Sequence, residues 1–197
     1  MAEDDPIQRA REQRLLTLAL ADRIAGARWG ESALPGGVSL HAMLSHLLGW
    51  DEWVIAALEV SAVRELPGRL ISAYRDVDGF NARSVARYAN IRRDDLLAGL
   101  QGSCMRLTSS ALAVGGAEWA QRRIPELAPP RADGDSGKPS RGPSVGGLLR
   151  MLCDHEREHC DEVSAAFDVH VDLEQLRAEL TGEAKTPSAS DQAPRQS

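Results

Sequence analysis

Two serines, Ser39 and Ser144, each stand directly ahead of a long run in which apolar residues recur at helical spacing. The runs are LHAMLSHLLGWDEWVIAALEV and VGGLLRMLCDHEREHCDEVSAAF. In both, the serine occupies the position of an N-cap, where its hydroxyl can take a backbone N–H that the first helical turn leaves unpaired. Helices of roughly twenty residues bury their apolar stripes against one another, so this pair sets the fold class. A further amphipathic segment runs from about Ile7 to Ala27, with Leu15, Leu16, Leu18, Leu20 and Ile24 among charged residues. Another helical region extends from about Asn81 to Val114, with a fresh start near Ile91 at Arg92–Arg93–Asp94–Asp95. No segment alternates with the period of a strand, and there is no internal repeat. The expected fold is all-α: a four-helix bundle over 1–170, a short helical appendage over 171–181, and a tail over 182–197 with the composition of a disordered end.

The connections are marked by helix breakers. Gly30, Pro35, Gly36 and Gly37 make Trp29 to Val38 a loop, and Pro67–Gly68 opens a connection into ISAYRDVDGFNA. Residues 115–143, with Trp119 and PPRADGDSGKPSRGP, read as a mobile loop or a functional lid.

Composition narrows the class. The chain has 197 residues, enough for one well-filled domain, with the ordinary apolar and charged balance of a soluble globular protein. A net charge of −6 without a basic stripe argues against nucleic acid as a partner. No apolar run is long enough to span a membrane, and MAEDDPIQRAREQR lacks the apolar core of a signal peptide. Cys104, Cys153 and Cys160 form neither a disulfide framework nor a metal knuckle, which fits a reducing cytoplasm.

The chemistry is carried by histidines. His155 and His159 are four residues apart, so on a helix they share one face about 6 Å apart along the axis. His46 lines up with Met43, Trp50, Trp53 and Ala57 on an apolar face, where an unpaired imidazole would be costly. If the two helices meet, three imidazoles form the ligand set of an open divalent-metal site. Each part also has a plainer reading: a lone apolar-face histidine is usually a satisfied core residue, and a paired one on a charged helix is common. Helical phase puts Cys153 and Cys160 on the far side from the histidines and His41 away from His46. Met151 and Leu152 fall near the histidine face, and so does Glu162, as a partner for a ligand or a proton acceptor. The charged residues Asp154, Glu156, Arg157, Glu158 and Asp161 read most simply as a solvated face. Trp50, Tyr74 and Asn81 are candidate substrate- or cofactor-binding residues; alternatively Asn81 caps a helix and Tyr74 fills core.

These residues resemble the DinB/YfiT-like superfamily. One half of the pattern is Ser39, then His46, Leu47 and Trp50; the other is Ser144, Leu148, Leu149, His155 and His159. The resemblance covers roughly residues 8 to 168. It implies a four-helix bundle in which His46, His155 and His159 bind a divalent ion, zinc or nickel foremost. It also implies thiol chemistry, since relatives include mycothiol-dependent maleylpyruvate isomerases and bacillithiol- or mycothiol-dependent S-transferases. The isomerases typically carry glutamate where this chain has His155, which puts maleylpyruvate itself in doubt. The expectation is a metal-dependent S-transferase or isomerase, acting on a small electrophile with a low-molecular-weight thiol, as a homodimer. The alternatives are metal-water hydrolysis in detoxification or self-resistance, and a non-catalytic metal-binding stress protein whose pocket is sealed by Trp50 and Trp53.

Overall fold

The structure is a computed structural model that describes residues 5–62, 65–114, 120–128 and 141–181. Seven α-helices and no strand are found among the described residues. Helix α1 spans Pro6–Arg23, α2 Leu40–Ser61, α3 Gly68–Arg75, α4 Val77–Tyr88, α5 Arg93–Ala113, α6 Val145–Phe167 and α7 Leu173–Thr181. Of these, α1, α2, α5 and α6 are the long ones, and each packs against two of the others: α1 on α5 and α6, α2 on α5 and α6. Helix α2 also packs on α4, so it is covered on most sides and reads as the apolar centre of the molecule. No helix is long and apolar enough to cross a membrane among the described residues.

Both histidine-bearing helices α2 and α6 start where their serines place them. Ser39 Oγ accepts the Ala42 N–H at 3.2 Å, and Ser144 Oγ accepts the Gly147 N–H at 3.0 Å. The helical region from Asn81 to Val114 divides at 89–92, where the fresh start near Ile91 was expected, and only its beginning differs, because α4 starts earlier, at Val77. One residue joins α3 to α4. Asp76 ends the first, and its Oδ1 accepts the Gly79 N–H of the second at 3.1 Å. Asn81 is therefore not a cap; it sits inside α4, facing α2.

Apolar packing falls into two layers. One gathers Trp53, Val54, Leu58, Leu107, Leu148 and Leu149; the other gathers Leu20, Leu44, Leu96, Leu100, Val163 and Phe167. Between them, level with 46–51 on α2 and 155–159 on α6, lies a polar belt: His46, Asp51, Arg14, Thr17, Ser103 and Glu156 are all buried. Glu156 corrects the solvated-face reading of its neighbourhood. Met151 is 40% exposed. It lies one turn before His155 on the same face of α6.

Helices α2 and α4 come unusually close at Gly49. A Cβ there would overlap the Ser84 side chain, so only glycine lets the two backbones meet. In the 115–143 segment, Ile124 and Leu127 are buried against the Leu148–Leu149 layer. Trp119 and the Pro-, Gly- and Asp-rich centre of that segment lie outside the described residues, as does the 182–197 tail.

Candidate functional site: a three-histidine cluster

Packing of α2 on α6 brings His46 to the pair one turn apart on α6. The three ring centroids lie 4.9 Å (His46–His155), 5.4 Å (His46–His159) and 4.6 Å (His155–His159) apart. One ring nitrogen from each falls within 4.8 Å of the other two. His46 Nε2 and His155 Nε2 approach to 2.6 Å. This is the only such group of metal-ligating side chains among the described residues, and it could hold a metal ion.

The protonation chemistry suits a ligand set. His159 Nδ1–H donates to Glu162 Oε2 at 2.8 Å, which leaves the lone pair on Nε2. That Nε2 is buried and has no hydrogen-bond partner. A buried acceptor without a partner is costly, and an ion at ~2.0–2.1 Å would satisfy it. Burial, followed by the neighbouring His155 and His159 rings, pushes His46 down to about 4, so it is neutral near pH 7. Burial, and then His159, lowers His155 as well. Neutral imidazoles are the form that binds metal.

Asn81 joins this group from α4. Its Oδ1 accepts the Trp50 Nε1–H at 2.9 Å, and the residue shares the lining of one cavity with His46. The indole of Trp50 packs on Phe80, with centroids 4.6 Å apart, and Trp53 stacks on Tyr74 at 5.3 Å and 16°. Two cavities flank the cluster. One, of about 220 Å³, is lined by His46, His159, Asn81 and Glu162 together with Met43 and Val85. The other, of about 380 Å³, is lined by Trp50, Tyr74, Val77, Met151, Leu152 and His155. All seven candidate residues from the sequence therefore touch the triad or one of its cavities.

The excluded residues stay out. His41 turns away, its Nε2 3.0 Å from the Ile91 carbonyl oxygen. Cys153 and Cys160 are buried on the opposite side of α6, and Cys160 Sγ lies 3.3 Å from Thr17 Oγ1 of α1. Burial pushes both thiols up to about 12.

Sequence reasoning missed the charged cluster behind the triad. Arg14 donates to both oxygens of Glu156, lies 2.8 Å from Asp51 Oδ2, and donates to the Leu100 carbonyl. Thr17 and Ser103 hydroxyls complete the set on Glu156 and Asp51. The signal was present: Arg14 falls in the row Ile7, Ala10, Arg14, Thr17, Ala21, and Asp51 in Leu44, Leu48, Asp51, Ile55, Leu58. A single charge inside an apolar helical row marks a buried partner.

Comparison of the chain with protein-family models, with curated proteins and with solved structures returns no match.

Proposed function

We propose that the chain is a divalent-metal-dependent enzyme of the DinB-like kind, a four-helix bundle using His46, His155 and His159 as ligands. In this reading it transfers a low-molecular-weight thiol to a small electrophile, or isomerises a substrate through such a thiol. The observation that carries it is His159 Nε2: buried, unpartnered, its ring fixed by Glu162, and grouped with the rings of His46 and His155. Zinc or nickel suits three imidazoles. Bound there, the ion supplies a positive charge that favours the deprotonated form of a thiol or water beside it.

The rest falls to the chain. Glu162 holds the His159 tautomer and lines the smaller cavity, where it is placed to receive the thiol proton. The sulfur electron pair then forms the C–S bond, and the bond to the leaving group breaks with its pair. Asn81 fixes the Trp50 indole and lines the smaller cavity beside His46. Two cavities reach the triad, whereas a non-catalytic site would be sealed by Trp50 and Trp53.

The test pairs metal analysis with catalysis. Purified protein is expected to carry about one ion per chain and to conjugate 1-chloro-2,4-dinitrobenzene with mycothiol or N-acetylcysteine. Alanine at His46, His155 or His159 should abolish both. Conjugation that survives metal removal rules the reading out, and consumption of the electrophile without thiol assigns metal-water hydrolysis instead.

A further inference from the structure

We infer that the cavity on the His155 side of the triad is a binding chamber for an uncharged aromatic group. Given the function proposed above, on which only the fate of the bound group depends, that group is the body of the electrophile.

The wall is aromatic and already fixed. Trp50 is held by Asn81 through its Nε1–H, and Tyr74 is stacked on Trp53, whose own Nε1–H donates to the Leu70 carbonyl at 3.0 Å. Rings locked in this way lose little freedom when a ligand arrives. The opposite wall is Met151 and Leu152, and a thioether adapts to ring edges. Among the described residues, no Asp, Glu, Lys or Arg lines the chamber. A charged ligand would shed its hydration there and gain no partner, so the occupant is neutral. At about 380 Å³ the chamber falls in the size range of small-ligand pockets, ~300–1,000 Å³.

Its mouth points the same way. Val77 is 46% and Met151 40% exposed, so two apolar side chains stand in water at the entrance, and a bound ring would cover them. The inner end is the His155 ring, which places the occupant against the triad. The smaller cavity, with Glu162 and Asn81 in its lining, meets the triad through His46 and His159 instead. Two reactants can therefore reach the three imidazoles from different sides.

The test uses N-phenyl-1-naphthylamine, a neutral probe that brightens in apolar sites, with its sulfonated analogue 8-anilinonaphthalene-1-sulfonate as the charged control. The neutral probe should bind the intact chain, and 1-chloro-2,4-dinitrobenzene should displace it. Its Kd should rise about tenfold or more in Met151→Asp and in Val77→Asp, two surface changes that place a charge at the mouth. Unaltered binding in both variants, or equal affinity for the sulfonate, overturns the chamber. Alanine at His159 should leave probe binding intact. The two readings fail separately: probe binding without any thiol conjugation sinks the transferase and supports the chamber, and conjugation without probe binding does the reverse.

Discussion

Arg14 of α1 and Glu156 of α6 meet in a two-point ion pair inside the core, Nε to Oε1 at 2.9 Å and the terminal nitrogen to Oε2 at 3.2 Å. Both side chains are almost fully buried, and Asp51 of α2 shares the same guanidinium. Burial opposes the Arg14 charge, but Asp51 and Glu156 outweigh it and hold the guanidinium ionised. Replacing Arg14 with Met strands two carboxylates in the belt. The expected loss is ~3–5 kcal/mol in urea unfolding, the cost of breaking a buried pair from one side. A loss near that of an exposed pair, below about 1 kcal/mol, would show that water reaches the belt.

Asp51 gives the fold a pH dependence of unusual sign. Burial raises its carboxyl to about 6, only partly offset by Arg14. Folded Asp51 then binds a proton more tightly than the unfolded chain does, so its contribution is fully present below about pH 4 and is lost as pH rises through 6. Comparing thermal unfolding of the native chain and Asp51→Asn from pH 4 to 7 isolates it. The native chain should lose on the order of 1–3 kcal/mol relative to the variant across that window. Parallel profiles would refute the assignment.

Glu162→Ala removes the anchor of the His159 ring without touching a ligand nitrogen. Metal affinity, measured by competition with a fluorescent chelator, should fall ~10–100-fold, the usual effect of losing the group that orients a ligand histidine. Unfolding in the absence of metal should change little, because Glu162 is only half-buried.

The cysteines are expected to be silent. All three are buried, and the thiols of Cys153 and Cys160 are raised to about 12. Reaction with a disulfide reagent should be ~100-fold or more slower in the native protein than in denaturant. Fast native labelling would mean that α1 opens from α6.

The sequence carried the triad further than it carried the belt. His155 and His159 could be paired by helical phase alone, since both lie on one uninterrupted helix. Their meeting with His46 depends on tertiary packing of α2 on α6, which local spacing does not encode. Glu156 was legible in principle, three residues after Cys153 and four before Cys160 on a buried row, but the acidic and basic residues around it disguised that row as a wet one. Asn81 was read by its type in two ways, as a binding residue or as a helix cap. Its actual task follows from position, because Asp76 already caps α4 and leaves Asn81 to face α2.

Gly49 governs the site from a place that holds no chemistry. Asn81 sits one turn before Ser84 on α4, and Ser84 is the residue a Cβ at Gly49 would strike. Trp50, whose indole Asn81 holds, directly follows Gly49 on α2, and His46 lies one turn before it. The spacing between α2 and α4 is thus gauged by a missing methyl group. Adding it would introduce no charge and no polar atom, yet it would lever α4 outward and lift Asn81 off the Trp50 indole. The protein's most sensitive adjustment is a width, set where there is nothing to see.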